Sequence, residues 1–267
     1  MREYTAADTG DGRAIGRCDS LRGMSRGILV LALVVALGSG REAVSGQGRG
    51  GQPPPATPRA SAVSDLTGYW VSVITEDWRW RMVTPSKGDY ASVPMTAEAR
   101  RVADTWDVSQ DGSCLAYGAA GLMRLPTRVH ITWQSDAVLA IDTDAGLQTR
   151  RLVFDRTQRP GAPSLQGFSL AEWERVGGRG ASAGGGNLKV TTTNMTGGWV
   201  RKNGVPYSGN AVMTEYFDRF TTPDGAEWFT ITTIVEDPAY FTQPFVTSTH
   251  FKKEPDGSKW SPAQCRH

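Results

Sequence analysis

In this 267-residue chain the side chains with the clearest chemical potential fall in LTGYWVSVITEDWRWRM, Leu66 to Met82. Apolar residues alternate there with a period of two, which predicts a long β-strand. One face carries Trp70, Ser72, Ile74, Glu76, Trp78, Trp80 and Met82; the other carries Tyr69, Val71, Val73, Thr75, Asp77, Arg79 and Arg81. Glu76 thus sits in the middle of an aromatic face. A carboxylate in that setting needs a partner or has a task. With its pKa raised by aromatic walls it is a general acid or base, or a polar contact to a ligand. Otherwise it is paired with an arginine reaching in, or a bulge near Asp77 turns it to the other face. Trp70, Trp78, Trp80 and Met82 either line an apolar pocket or are ordinary core. Arg79 stands beside them on the charged face.

Other candidates are more scattered. His130 and His250 lie mid-strand on the polar side of their segments. If the two strands face each other they form a base or metal pair; apart, they are surface histidines. GGWVRKNGVPYSGN, Gly197 to Asn210, brings Trp199, Arg201 and Tyr207 into one long connection, either a binding loop or a solvated hairpin tip. Glu236-Asp237-Pro238 combines two carboxylates with a turn signal, and the turn is the stronger reading. The glycines from 177 to 186 are followed by no Gly-Lys-Ser/Thr and no helix, so they form no phosphate loop. Ser169 lacks the second glycine of a nucleophile elbow. Histidines and cysteines show no metal-ligand spacing, and neither a metal nor a cofactor is expected.

The elements that must position these groups are mostly strands. After Leu66–Met82 comes one helix, with Thr96 as N-cap and Ala99, Val102, Ala103 and Trp106 at helical spacing. Strands are expected at 128–134, 138–143, 149–154, 167–174, 188–194, 211–221, 227–236 and 245–253. Pro223-Asp224-Gly225 joins two of them as a hairpin, and Pro255-Asp256-Gly257 ends the last. Eight to nine short antiparallel strands with one short helix form a barrel or a sandwich.

At the N-terminus, an apolar run from Ile28 to Leu37 follows Met24-Ser25-Arg26 and precedes Ala43-Val44-Ser45. That is the layout of a secretory signal peptide cut after Ser45, with Gly38 or Gly40 as alternatives. The run is shorter than the ~20 residues a membrane span needs, so no integral membrane segment is expected after cleavage. Residues 1–45 are therefore an upstream extension and signal, 46–64 a Gly/Pro-rich disordered linker, and 65–267 one domain. The expected location is the periplasm or the exterior. There, the two cysteines left of three, Cys114 and Cys265, are expected to pair as a disulfide. A net charge of +2 with both signs interspersed offers nothing to nucleic acid.

Three segments carry a resemblance. Leu66-Thr67-Gly68-Tyr69-Trp70 is similar to the G-x-W opening of lipocalin-type barrels. SLQGFSLAEWE, continuing into LKVTTTN, looks like a G-x-S-x-x-x-W-E strand pair, and VEDPAYFTQPF resembles a D-P-x-x-[YW]-T-x-P-[WF] turn. Together they resemble uncharacterised secreted bacterial lipocalin-like β-barrel proteins, which implies an antiparallel lipocalin-like barrel and an exported chain, and carries over no catalytic residue. The glycines from 177 to 186 interrupt the second motif. Binding of a small, largely apolar ligand is the function expected first. A metal-independent isomerase or hydrolase using Glu76 with a histidine or Arg79 comes second, and an envelope-interaction module third.

Overall fold

The computed structural model describes residues 55–107, 109, 117–175 and 185–263. Residues 1–45, Cys114 and Cys265 lie outside the described residues, and with them the expected signal peptide and disulfide. In chain order the elements are β1 (Gly68–Val73), α1 (Trp78–Arg81), α2 (Ala97–Ala103), α3 (Ala119–Leu122), β2 (Arg128–Ser135), β3 (Val138–Thr143), β4 (Thr149–Val153), β5 (Phe168–Arg175), β6 (Gly186–Thr193), β7 (Gly198–Trp199), β8 (Pro206–Tyr207), β9 (Val212–Thr221), β10 (Glu227–Glu236) and β11 (Phe245–Glu254). Nine strands close a barrel in the order β1-β11-β10-β9-β6-β5-β4-β3-β2, and β7 and β8 form a separate two-stranded hairpin.

The barrel is not purely antiparallel. A closed ring with an odd number of strands cannot alternate direction throughout, so one pair must run parallel. That pair is β4 and β5, in register at Leu152 with Ser169 and Val153 with Leu170. The remaining barrel pairs are antiparallel. Helix α2 starts where the sequence puts it, because the Thr96 hydroxyl accepts from the Ala99 N–H at 3.1 Å. Two further helical turns, α1 and α3, occupy segments that read as strand and loop.

Alternation along the strands sends one set of side chains inward, and they fill the lumen. Toward one end lie Trp70, Ile131, Leu188, Phe217, Phe229 and Phe251. The other end is capped by α2, α3 and the β7–β8 hairpin, whose apolar residues pack on Met213, Val235 and Phe245 of the barrel rim. Between these two apolar layers runs a buried polar belt of Arg150, Ser169, Thr192, Glu215 and Thr233. Arg150 is fully buried and donates to both carboxylate oxygens of Glu215, at 3.0 and 2.5 Å, and to Thr192 Oγ1 at 3.3 Å. Ser169 and Thr192 share a hydrogen bond of 2.8 Å. The barrel holds a core, not a ligand channel.

The uncapped end is closed by three rings in series. Phe154 lies 5.5 Å from both Trp133 and Trp173. Across them runs the C-terminal half of the segment expected to be a disordered linker. Trp173 Nε1 donates to the Pro58 carbonyl at 2.9 Å, Arg175 donates to the Ser61 carbonyl at 2.7 Å, and the Arg59 N–H donates to the Asp136 carbonyl at 3.0 Å. Low hydrophobicity predicts no packing of its own for this stretch; its backbone carbonyls are instead held by barrel donors.

The Arg150–Glu215 pair makes a stability test. Glu215→Ala leaves Arg150 charged and uncompensated in the core, at an expected cost of about 3–5 kcal/mol. The double replacement Arg150→Met with Glu215→Leu removes both charges and is expected to fall well short of that loss. Urea unfolding of the three proteins measures both.

Candidate binding site at the capped end

Strand β1 ends at Val73, and the chain then breaks the alternation of the sequence. Asp77 takes a left-handed conformation (φ 54°, ψ 19°), which Asp tolerates better than most residues. From there the chain turns helically: Asp77 O accepts from the N–H groups of Trp80 and Arg81, at 2.8 and 3.0 Å. In a helical turn, side chains four apart share a side. Trp78 and Met82 accordingly face out, 61% and 55% exposed, while Arg81 turns in and is 2% exposed. The expected aromatic face of Trp70, Trp78, Trp80 and Met82 does not exist. Only Trp70 points into the barrel, donating from Nε1 to the Leu66 carbonyl at 2.9 Å.

Glu76 follows β1 and misses the lumen as well. Its carboxylate is hydrogen-bonded by Arg81, by the Thr75 hydroxyl at 2.7 Å and by His250 Nδ1 at 2.9 Å. Partial burial raises its pKa, but the bonds from Thr75 and His250 and the charge of Arg81 outweigh that. The carboxyl is held below the ordinary glutamate value of 4.5. The raised pKa expected from aromatic walls is thereby reversed, because the walls are absent and cations and donors replace them. Glu76 is a carboxylate, suited to orienting the His250 ring and anchoring Arg81.

The two histidines flank β1 without meeting. His250 on β11 pairs with Val73, and His130 on β2 pairs with Tyr69. Those partners are four residues apart along β1, about 13 Å. His130 stacks on the Tyr69 ring at 4.0 Å. Among the described residues no group of three or more His, Cys, Asp or Glu is placed to hold a metal ion.

What the structure does bring together is cationic. Trp80 lies under the guanidinium of Arg201, 4.6 Å from its ring centre, with Arg79 at 5.3 Å. Arg79 itself is exposed and pairs with Asp89 at 2.6 Å. Arg81 Nε donates to the Arg124 carbonyl at 2.8 Å, Arg124 pairs with Asp77 at 3.1 Å, and Arg201 donates to the Ala91 carbonyl at 2.7 Å. Burial lowers the pKa of Arg81 to about 10 despite the attraction of Glu76; Arg201 also falls to about 10, through burial and then the charge of Arg124. The β7–β8 hairpin is thus a packed cap and not a solvated tip. Asn203 at its turn is fully buried and donates to the carbonyls of Ser86 and Asp89. At Gly121 of α3, a Cβ would lie 2.3 Å from the Trp199 carbonyl, so only glycine lets the hairpin settle there.

Among the described residues, three spaces lie around this cap. Trp80, Arg81, Arg124 and Arg201 surround an inner one of about 10 Å³. Trp199 and Tyr207 line a surface cleft of about 410 Å³ beside Val102 and Tyr240. Val71, Val73, Ile74, Met82 and Pro126 line a groove of about 570 Å³ on the outer wall, with Arg128 and Asp144 at its polar margin.

No family model matches the chain. Comparison with curated proteins and with solved structures likewise finds no match. The function is therefore argued from geometry.

Sequence reasoning passed over Arg81, which it assigned to an outward face, and Arg124, which sits in the apolar run GAAGLMRLP. An arginine inside such a run is itself a signal of a buried cation. Glu76→Gln tests the carboxylate. Because its folded pKa is lowered, the stability it contributes is complete above the unfolded value near 4.5 and lost as pH falls through the lower folded value. The difference in unfolding free energy between wild type and Glu76→Gln is expected to be largest near neutral pH and to shrink below pH 4.5. Chemical unfolding at pH 7, 5, 4 and 3 measures it.

Proposed function

We propose that this is an exported, non-catalytic binding barrel that holds a small, largely apolar ligand on its outer wall, in the groove beside β1 and α1. The observation that carries this is the placement of exposed apolar side chains. Trp78, Met82 and Val83, at 61%, 55% and 55% exposure, fall within six residues of one another. A cluster of that kind marks a binding surface, whereas single exposed hydrophobics are ordinary. The adjoining groove has an apolar floor, a few polar groups at its margin and a volume of about 570 Å³, within the range typical of small-molecule sites. The filled lumen argues against a ligand inside the barrel. Glu76 and His250 line none of the three spaces described, which favours binding over turnover. Export rests on the apolar run and small-residue site near the N-terminus.

The test is titration of the full chain, with the exported sequence intact, against a neutral solvatochromic dye. Saturable binding is expected, weakened about tenfold by Met82→Ser, the ~1.4 kcal/mol that loss of one well-covered apolar side chain represents. Phe220→Ser, which removes an exposed ring elsewhere, is expected to leave binding unchanged. Absence of saturable binding, or equal affinity in Met82→Ser, overturns the reading.

A further inference from the structure

The inner space under α1 is bounded by more cations than the carboxylates around it can neutralise. Arg81, Arg124 and Arg201 are 2%, 5% and 2% exposed. Glu76 pairs with Arg81 and Asp77 with Arg124. Arg201 has no carboxylate of its own. It donates to a backbone carbonyl and lies on the Trp80 ring, while Asp77 and Asp89, which act on it from farther off, are paired with Arg124 and Arg79. Lys202 borders the same space. Of the buried N–H groups among the described residues that find no acceptor, four belong to this cap: Arg81 Nη2, Arg124 Nη1, Arg201 Nε and Trp80 Nε1. All four residues border that space of about 10 Å³, the room of one water-sized sphere.

Buried donors and buried charges are ordinarily satisfied. Here the four residues that carry them border one small space, and three of the four are cations, which sets the sign of the partner they call for. A cation is repelled. A water molecule accepts from two donors at most and brings two hydrogens of its own toward groups that are already donors. Sulfate and phosphate are far larger than the space. A monatomic anion accepts from every direction and supplies the missing negative charge. We propose that this space is a binding site for a monatomic anion of the halide class, held by Arg81, Arg124, Arg201 and the Trp80 N–H. It shares no lining residue with the apolar groove, and either proposal can fail without the other.

The experiment uses the full chain in sodium gluconate, exchanged stepwise for sodium chloride or bromide at constant ionic strength. The thermal unfolding midpoint is expected to rise and saturate with halide, and sulfate is expected to give no saturable rise. Arg201→Met is expected to raise the half-saturating halide concentration at least tenfold. Should that variant fail to fold, crystals of the wild-type chain grown in sodium bromide decide the matter, with an anomalous peak expected in contact with Arg201 Nε. Bromide is also expected to quench a saturable part of the tryptophan emission that Trp80→Phe removes. A shift that never saturates and is matched by sulfate overturns the proposal. So does saturable stabilisation by formate or acetate with none by chloride, and so does a bromide-grown crystal without the peak.

Discussion

The buried pair of Arg150 and Glu215 is the constraint around which the rest of the molecule is arranged. It crosses the barrel from β4 to β9, between an apolar layer that includes Phe217 and one that includes Met213. Two ions removed from water cost several kcal/mol each unless their hydrogen-bonding capacity is met. The belt meets much of it, through Thr192 and the two-fold contact to the carboxylate. The consequence is topological as well as energetic. With the middle of the lumen occupied by ions and hydroxyls, one end capped and the other closed by Trp133, Phe154 and Trp173, the described residues leave no interior to offer a ligand. The binding proposed for this chain accordingly falls to the wall and the cap.

The cap divides its work across a single turn of chain. Had residues 74–82 continued as a strand, as their alternation suggests, Trp78, Trp80 and Met82 would share one face and Arg79 and Arg81 the other. The left-handed Asp77 rotates that pattern by converting period two into period 3.6. Trp78 and Met82 become a solvent-facing apolar step beside the groove, and Arg81 becomes a buried cation bridging Glu76 and the Arg124 carbonyl. Neighbouring residues of one turn thus serve two different spaces, Met82 the apolar groove and Trp80 and Arg81 the charged one.

The strands were legible because two independent signals agreed over most of the chain: strict alternation and turn residues at the breaks. Bounds expected at 138–143 and 227–236 coincide with β3 and β10, and the Thr222–Ala226 turn closes around Gly225 at φ 83°. The rule that a carboxylate on an apolar face needs a partner holds for Glu76, which an inward-turned arginine, Arg81, neutralises, and it holds at a second place that the sequence reading does not single out. Met213-Glu215-Phe217 on β9 presents the same pattern inside a strand that does not break, and Arg150-Leu152 on β4 presents its complement. Glu76 lost its face because the chain turned at Asp77, an event decided by tertiary contacts of Arg81 and Trp80 that no local pattern records. The convergence of Arg81, Arg124 and Arg201, residues far apart in sequence, was invisible for the same reason.

That convergence runs against stability. Replacing buried cations by apolar residues of similar volume is often neutral or favourable in a well-packed core, and the cap already packs around Val200, Val205 and Tyr207. Three guanidinium-bearing residues nonetheless border one small space beside Trp80. Glu76 and Asp77 show how such groups are neutralised when neutralisation is the purpose, with one carboxylate for each arginine. Arg201 is treated differently: it receives a carbonyl and an aromatic face, both of which hold a cation in place without cancelling its charge. Arg201 is thus left as a buried cation without a carboxylate in ion-pair contact, beside a water-sized space. The anion proposed for that space would be the partner that the chain itself does not supply.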